Sequence, residues 1–436
     1  MTIALRDTRR VLFEADLEAL PRERLAELQL DRLRLLVARV RERVPLYRER
    51  LAGAEPGDLG SLDDLRLLPF TRKDDLRDAY PLGMLAVPRE ALARIHASSG
   101  TTGKPTVVAY TAADLELFGR VNARSLAMAG VEPGMTLHNA YGYGLFTGGL
   151  GLHAGGERLG ANVVPVSGGM TNRQLTLIED LRPDAIACTP SYALTLASAF
   201  AERGLSPDGL SLRFAVVGAE PWTERMRAEI DAELGVRTTN IYGLSEVIGP
   251  GVSCECVEER SGSHVNEDHF LPEIVDPQSG EPVPEGDEGV LVLTTLTKEA
   301  LPLVRYWTGD ICSLRSAPCS CGRTFVRMGP IVGRSDDMLI VRGVNVYPSQ
   351  VGAVLGRIPE LSPHFGLVIR REGALDSVEV LVEPDIHQAY DTVSVVARAA
   401  ALIRQTIGCS MSVTLVSPGE APRSDGGKIQ RVQDLR

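Results

Sequence analysis

Hydroxyl groups and glycines gather around a single lysine close to residue 100. The residues concerned are Ser98, Ser99, Gly100, Thr101, Thr102, Gly103 and Lys104. Backbone N–H and hydroxyl groups packed this densely can converge on phosphate oxygens, and the lysine adds positive charge. Only two residues separate the glycines and Pro105 follows the lysine, so the segment is not a Walker P-loop. The composition predicts a phosphate-binding loop in preference to a plain surface turn.

Two further clusters stand where predicted β-strands end. The first contains Gly218, Ala219, Glu220 and Pro221, and the second contains Asn240, Ile241, Tyr242 and Gly243, with Glu246 shortly after. Open parallel sheets bind ligands at the carboxyl ends of their strands. A glycine there permits close approach of a flat ring, a tyrosine can stack on it, and a carboxylate can hold Mg²⁺.

The cysteines suggest a metal site. Cys254 and Cys256, His264 and His269, and Cys319 and Cys321 form three pairs within 70 residues. Thiolates combined with imidazole favour Zn²⁺, in a closed tetrahedral site if the role is structural. The spacing is not a standard zinc motif, so reduced cysteines that only pack together are the alternative.

Strand–helix alternation must position these groups. The chain opens with a helical pattern over residues 11–46 and then alternates from about residue 105. The predicted strands are 106–110, 162–166, 185–188, 214–217 and 238–242, and the predicted helices are 172–181, 191–203 and 222–234. Pro190 and Pro221 suit first helical turns, and Gly204 and Gly235 suit C-terminal caps. This alternation predicts an α/β fold with a parallel, helix-covered sheet.

The remainder of the chain divides into two parts. Residues 249–330 lose the helical period and read as a β-rich subdomain, and residues 336–436 read as a small α+β domain. We therefore expect an N-terminal domain over 1–335 and a C-terminal domain over 336–436.

Composition excludes several classes of protein. The net charge is −11 over 436 residues, which argues against nucleic acid or an anionic membrane as the main partner. Seven cysteines do not form an obvious secreted disulfide framework, and the N-terminus lacks a signal-peptide pattern, so we expect a cytoplasmic protein. Only four of the 46 basic residues are lysines, of which Lys73 and Lys298 lie in no motif and are expected at the surface.

The loop at 98–105, the cluster at 240–246 and eight further segments, taken in order, resemble the adenylate-forming superfamily of acyl-CoA synthetases, adenylation domains and luciferases, and within it the phenylacetate–CoA ligase family. The eight segments are LPFT at 68–71, RIHA at 94–97, GYGLFTGGLG at 142–151, GAEPW at 218–222, YWTGD at 306–310, GRSDD at 333–337, GVNVYP at 343–348 and RSDGGK at 423–428. The likeness runs over nearly the whole chain. It implies a large adenylation domain with helix-covered parallel sheets and a small, mobile C-terminal lid.

The resemblance also implies residue roles. Residues 98–104 would hold ATP phosphates, residues 218–221 and 240–243 would border the adenine, and Glu246 would help to bind Mg²⁺. Asp310 would bind the ribose with Arg334 nearby, Asp336 would be the hinge of the lid, and Lys428 would bridge carboxylate and α-phosphate. For zinc it favours four ligands, Cys256, His264, Cys319 and Cys321, with Cys254 left open as a substitute for Cys256.

The implied reaction joins an aryl acid to CoA through an aryl-adenylate, with release of pyrophosphate and then AMP. The residues expected around the acid are Tyr141, Gly142, Tyr143, Phe146, Gly148 and Ala219. Family members usually have a tyrosine after the histidine that corresponds to His153, whereas this chain has Ala154, which predicts a wider or differently shaped pocket. Phenylacetate and a substituted benzoate both stay open as substrates.

The acceptor and the assembly state are less constrained by the motifs. An amine or a carrier-protein thiol could replace CoA as acceptor, and a homodimer is compatible with the resemblance. A non-catalytic nucleotide-binding scaffold is disfavoured, since Lys428, Asp310 and Glu246 are all present.

Overall fold

A computed structural model describes residues 12–97, 105–335, 339–341, 344–372, 375–386, 388–423 and 431–435. Its α-helices are α1 (Ala15–Glu18), α2 (Arg22–Arg43), α3 (Pro45–Arg50), α4 (Lys73–Asp78), α5 (Ala112–Met128), α6 (Gly148–Leu159), α7 (Thr171–Leu181), α8 (Pro190–Glu202), α9 (Glu224–Leu234), α10 (Pro348–Leu355) and α11 (Thr392–Ile407). None of these helices in the described ranges combines the length and apolarity that crossing a bilayer requires.

The strands fall into five sheets. They are β1 (Arg94–Ala97), β2 (Val107–Tyr110), β3 (Thr136–Asn139), β4 (Asn162–Val164), β5 (Ala185–Cys188), β6 (Phe214–Gly218), β7 (Arg237–Leu244), β8 (Gly249–Glu255), β9 (Ser263–Val265), β10 (Phe270–Val275), β11 (Gly289–Thr295), β12 (Tyr306–Cys312), β13 (Leu314–Arg315), β14 (Arg327–Met328), β15 (Gly333–Arg334), β16 (Leu339–Val341), β17 (Val344–Val346), β18 (Leu361–Glu372), β19 (Leu375–Pro384), β20 (Ser412–Leu415) and β21 (Val432–Asp434).

The largest sheet has nine strands in the order β13-β14-β9-β8-β7-β6-β5-β3-β4. Strands β4, β3, β5, β6 and β7 are parallel, as the strand–helix alternation predicts. Beyond β7 the pairing becomes antiparallel, so the sheet is mixed. Strand β2 lies outside it and pairs antiparallel with β1, because the two flank a short connection.

Two helix starts show how local sequence sets these elements. Helix α8 has Pro190 in its first turn, and the side chain of its N-cap residue Thr189 accepts a hydrogen bond from the Tyr192 backbone N–H. Helix α9 begins only at Glu224, after the N-cap Thr223, so the prediction of Pro221 in a first turn is wrong. A hydroxyl cap satisfies a free backbone N–H, which a proline cannot do.

The β-rich region contains a four-stranded antiparallel sheet in the order β10-β11-β12-β15. Its apolar face joins a core that also takes in α2, whose residues Leu33, Leu36, Val37 and Val40 are completely buried. Helix α2 therefore packs on the β-rich region through one apolar stripe of helical period.

Residues beyond 338 have a hydrophobic core of their own, drawn from β16–β20, α10 and α11. The sheet β20-β19-β18-β21 lies at its centre. Arg225 of α9 crosses to this part of the chain, where its guanidinium donates to the carbonyl oxygens of Ile358 (2.9 Å) and Pro359 (3.2 Å) and to the Asp385 carboxylate (3.0 Å). These contacts join α9 to the C-terminal residues in the arrangement seen here.

Candidate active site and metal centre

The end of β6 is shaped for close backbone approach. A Cβ at Gly218 would stand 2.1 Å from the Ile241 carbonyl oxygen on β7, so only glycine fits between the two strands. The next residue, Ala219, has φ +72°, a left-handed conformation that is rare for a residue with a side chain. Such local strain often marks a functional loop.

Glu220 and Asn240 are partly committed to structural contacts. Glu220 Oε1 accepts a 2.6 Å hydrogen bond from the Ser191 backbone N–H at the start of α8, while Oε2 is buried and has no partner among the described residues. Burial raises the pKa of Glu220. The Asn240 side-chain oxygen accepts from the indole N–H of Trp222 at 3.1 Å, and Pro221 is exposed.

Tyr242, Asp310 and Arg334 come together although 92 residues separate the first from the last. The Tyr242 hydroxyl donates to Asp310 Oδ2 at 2.6 Å, and Arg334 forms an ion pair with Oδ1. Strand pairing places Asp310 directly opposite Arg334. Burial and the Asp310 carboxylate raise the pKa of Tyr242, so this hydroxyl remains a donor. The carboxylate is thus aligned from both sides, as a bidentate acceptor of two hydroxyls requires.

Glu246 lies in the turn 245–248 that joins β7 to β8. A Cβ at Gly243 would stand 1.8 Å from the Gly249 carbonyl oxygen, so this glycine is what allows the hairpin to close. Glu246 is 6% exposed, and the described part of the chain offers its carboxylate no hydrogen bond. A buried carboxylate without a protein donor is a suitable oxygen ligand for a divalent cation.

The residues expected around the acid are brought close to this edge of the sheet. The Tyr141 ring packs against Gly148, where a Cβ would lie 3.7 Å from it. Its buried hydroxyl finds no partner within the described ranges. The Tyr143 hydroxyl accepts from Asn139 Nδ2 at 2.7 Å and contacts His153 Nδ1 at 3.1 Å.

Three of those predicted pocket residues are open to solvent. Gly142, Phe146 and Ala219 are exposed, with Phe146 at 53%. An exposed ring at this edge of the sheet is accessible to a ligand that would cover it on binding.

Four side chains form the metal-type cluster predicted from the sequence. The ligand atoms of Cys256, His264, Cys319 and Cys321 all lie within 4.8 Å of one another. The Cys256 and Cys319 sulfurs are 3.5 Å apart, and Cys321 Sγ lies 3.4 Å from His264 Nε2. Cys254 is not in the cluster, which agrees with the choice of Cys256.

The surroundings of the cluster suit a cation. His264 Nδ1 lies 3.2 Å from the Phe325 carbonyl oxygen, which orients Nε2 toward the sulfurs. Hydrogen bonding from Cys256 and the neighbouring His264 hold the pKa of the Cys321 thiol far below its usual range. His269 instead contacts Thr297 and Asp268 and takes no part in the cluster.

Several predicted site residues lie outside the part of the chain that the structure describes. Residues 98–104, Asp336 and Lys428 are not described, although β1 and β2 flank the first of these segments.

Lys298 is completely buried, so its predicted surface position is wrong. Burial lowers the pKa of Lys298 to about 8. The apolar residues on both sides of the sequence Thr297–Lys298–Glu299 were the only hint of this burial.

Comparison with known proteins identifies the family. The profile of the AMP-binding enzymes matches residues 34–296, and that of the AMP-binding enzyme C-terminal domain matches residues 343–436. A phenylacetate–coenzyme A ligase of Thermus thermophilus is 62% identical over 98% of this chain and 100% of its own length. The chain belongs to the phenylacetate–coenzyme A ligase family of AMP-binding enzymes. This confirms the predicted family and enzyme class, an AMP-forming acid–CoA ligase.

Solved structures confirm the predicted fold class. A 2-hydroxyisobutyryl-CoA ligase in its postadenylation state with 2-HIB-AMP superimposes with a TM-score of 0.90, at 29% identity, over 99% of this chain and 94% of that one. The same ligase with 2-HIB-AMP and CoA in its thioesterification state gives 0.73 over 98% and 93%. The arrangement of this chain therefore resembles the postadenylation state more than the thioesterification state.

Proposed function

We propose that this ligase activates phenylacetate, or an aryl acid of closely similar shape, and transfers it to the thiol of CoA. The observation that carries the proposal is the 62% identity, over the full length, with a protein named phenylacetate–coenzyme A ligase. The buried Tyr141 ring beside Gly148 supports it, because an aryl group needs a flat apolar wall.

The proposed chemistry has two displacements. A carboxylate oxygen attacks the α-phosphorus of ATP and pyrophosphate leaves, which gives the aryl-adenylate. The CoA sulfur then attacks the acyl carbon, its proton goes to solvent, and AMP leaves. The first step brings carboxylate and triphosphate charge together, so the site must supply positive charge and fixed donors.

Residues of this chain would share that work. Residues 98–104 would bind the β- and γ-phosphates, and Asp310, aligned by Tyr242 and Arg334, would accept the ribose hydroxyls. Lys428 would offset the charge between the carboxylate and the α-phosphate. Glu246 would hold Mg²⁺, whose contribution when bound is to neutralise phosphate oxygens.

A mobile lid would separate the two steps. The predicted boundary at residues 335–336, with Asp336 as hinge, agrees with the independent core beyond residue 338. The two states of the related ligase, with TM-scores of 0.90 and 0.73 to this chain, support such a rearrangement here. Rotation of the lid would carry Lys428 away and open one face of the adenylate to the thiol.

Ala154, which stands where family members usually have a tyrosine, lies next to α5. A Cβ built on Gly119 of α5 would lie 3.9 Å from the Ala154 Cβ, so this side chain faces α5. This contact accounts for a small residue at position 154 by the packing of α6 on α5, so Ala154 by itself is not an argument for an enlarged pocket.

Pyrophosphate exchange with a panel of aryl acids tests the substrate. Phenylacetate should give the highest kcat/KM, and a higher value for a substituted benzoate would refute the substrate assignment. Thioester formation is then compared with amide formation from a panel of amines, and exchange without thioester would favour an amine acceptor. Lys428→Ala should nearly abolish exchange yet spare thioester formation from pre-made phenylacetyl-adenylate, whereas equal loss of both steps would contradict the lid mechanism.

We further propose that Cys256, His264, Cys319 and Cys321 bind one Zn²⁺ that holds β8, β9 and the segment before β14 together. Their ligand atoms are close enough for tetrahedral coordination, and the His264–Phe325 contact fixes the imidazole. Metal analysis of the purified protein should find about one zinc per chain. Cys321→Ser should lose the zinc and lower the melting temperature, and zinc-free wild-type protein of unchanged stability would refute the site.

A further inference from the structure

Lys298 is a buried cation for which the reaction described above has no use. Its side chain has no solvent exposure. Among the described residues, no carboxylate oxygen lies within 4.0 Å of its Nζ. Placing an ammonium group in an apolar interior is unfavourable unless its contacts offset the lost hydration. The contacts that Lys298 does make should therefore matter to the protein.

Those contacts lead to the turn that carries Glu246. Lys298 Nζ donates a 2.9 Å hydrogen bond to the backbone carbonyl oxygen of Glu246. On its other side, the ammonium lies 5.1 Å from the centre of the Tyr110 ring, within cation–π range. The lysine thus bridges β2 and the β7–β8 turn.

Tyr110 holds the same turn at a second point. Its hydroxyl donates a 3.0 Å hydrogen bond to the carbonyl oxygen of Ile248, two residues after Glu246. Within the turn, the N–H groups of Val247 and Ile248 both donate to the Leu244 carbonyl oxygen. Two side chains from outside the hairpin thus take up the carbonyls on either side of Val247 and hold the backbone around Glu246.

Both side chains sit on rigid supports. Tyr110 is the last residue of β2, which pairs with β1 along its whole length. The segment around Lys298 is anchored to α5, because the N–H groups of Glu299 and Ala300 donate to the Asp114 carboxylate at 2.6 and 2.9 Å. Asp114 itself belongs to the capping box of α5.

We infer that Lys298 is a positioning residue for adenylation, which together with Tyr110 fixes the Glu246 turn so that its carboxylate faces the metal–phosphate group of ATP. The inference rests on the proposed role of Glu246. Because Lys298 has no solvent exposure, it would act through Glu246 and not on a reacting atom. A shifted turn would weaken the hold of Glu246 on Mg²⁺, so the loss should appear in adenylation at low Mg²⁺ and should be small in thioester formation from pre-made adenylate.

The test measures phenylacetate-dependent pyrophosphate exchange against free Mg²⁺ for wild type, Lys298→Met, Tyr110→Phe and the double variant. Methionine keeps the length of the side chain and removes the charge and the donor. Gln29→Met is the matched control. Gln29 Nε2 donates a buried 2.9 Å hydrogen bond to the backbone carbonyl oxygen of Glu267. The substitution therefore removes the same kind of donor as Lys298→Met, but outside the Glu246 turn. Melting temperatures are recorded for all five proteins.

Lys298→Met should raise the Mg²⁺ concentration for half-maximal exchange by about tenfold, the size expected for one hydrogen bond to a charged group. Tyr110→Phe should also raise this Mg²⁺ concentration, but by a smaller factor. The increase in the double variant should be smaller than the product of the two single increases, because both side chains hold the same turn. Gln29→Met should leave it unchanged.

Three results would overturn the inference. The first is a wild-type Mg²⁺ requirement in both Lys298→Met and Tyr110→Phe. The second is a loss of exchange equal at all Mg²⁺ concentrations and matched by Gln29→Met, which would make Lys298 purely structural. The third applies if Lys298→Met does not fold. In that case Tyr110→Phe alone is the test, and an unchanged Mg²⁺ requirement in that variant refutes the inference. A wild-type enzyme without exchange would instead refute the proposed function, and the inference with it.

Discussion

Arg225 should act as a latch for the arrangement of the C-terminal residues seen in this structure. One guanidinium on α9 donates to two carbonyl oxygens, of Ile358 and Pro359, and to the Asp385 carboxylate. If the lid rotates between the two steps, these three hydrogen bonds must break. Arg225→Ala should therefore disfavour the arrangement seen here, which resembles the postadenylation state and in which we expect the adenylate to form, without touching any substrate.

The size of the effect follows from exposure. The side chains of Arg225 and Asp385 are 27% and 22% exposed, so solvent weakens their ion pair to a few tenths of a kcal/mol up to about 1 kcal/mol. The two partly exposed hydrogen bonds from Arg225 to the carbonyl groups stabilise this arrangement by about 1 kcal/mol more. A total of about 1–2 kcal/mol shifts the balance between the two arrangements by roughly 5- to 30-fold.

Separate assays of the two half-reactions test this. Arg225→Ala should lower the rate of pyrophosphate exchange while the rate of thioester formation from pre-made adenylate is unchanged or raised. Arg203→Ala is the matched control, since Arg203 is 33% exposed and pairs with Glu179 without reaching the C-terminal residues. Equal slowing of both half-reactions in Arg225→Ala, or no change in either, would refute the latch.

Two further predictions concern buried polar groups. Tyr242→Phe removes the 2.6 Å hydrogen bond to Asp310 but leaves Arg334 in place, so KM for ATP should rise about tenfold with kcat less affected; an unchanged KM would separate Asp310 from ATP binding. Burial lowers the pKa of His269 to about 3 despite the adjacent Asp268. The imidazole therefore becomes protonated near pH 6.5 in the unfolded chain, whereas it stays neutral at that pH in the folded protein. Stability should therefore fall with decreasing pH below about 6.5, by about 2 kcal/mol between pH 7 and 5 from this group. Denaturant unfolding should show a smaller fall in His269→Gln, and an identical pH dependence would refute the assignment.

Local sequence patterns were sufficient where the structure depends on local interactions. Strand β5 has the predicted bounds, 185–188, to the residue, because its short apolar run stops at the capped, proline-containing start of α8. The four candidate zinc ligands were chosen through the resemblance to the family, because their spacing alone left cysteines that only pack as an alternative, and the structure brings these four side chains together. The mixed part of the large sheet could not be predicted, since the apolar period does not reveal that β8 turns back antiparallel to β7, and β14 joins β9 from a distant part of the chain, with Arg327 opposite His264.

The buried position of Lys298 could not be predicted from the sequence, and the reason is physical. A motif search assigns a lysine outside any motif to the surface, because an isolated buried ammonium is unfavourable. Lys298 offsets part of that cost through the Tyr110 ring and the Glu246 carbonyl, which lie 188 and 52 residues away along the chain, and through the nearby charges of Asp114 and Glu246. Such a partnership is visible only once the fold is known. A buried cation that holds backbone near a predicted metal ligand is thus better evidence for a positioning role than its sequence context could be.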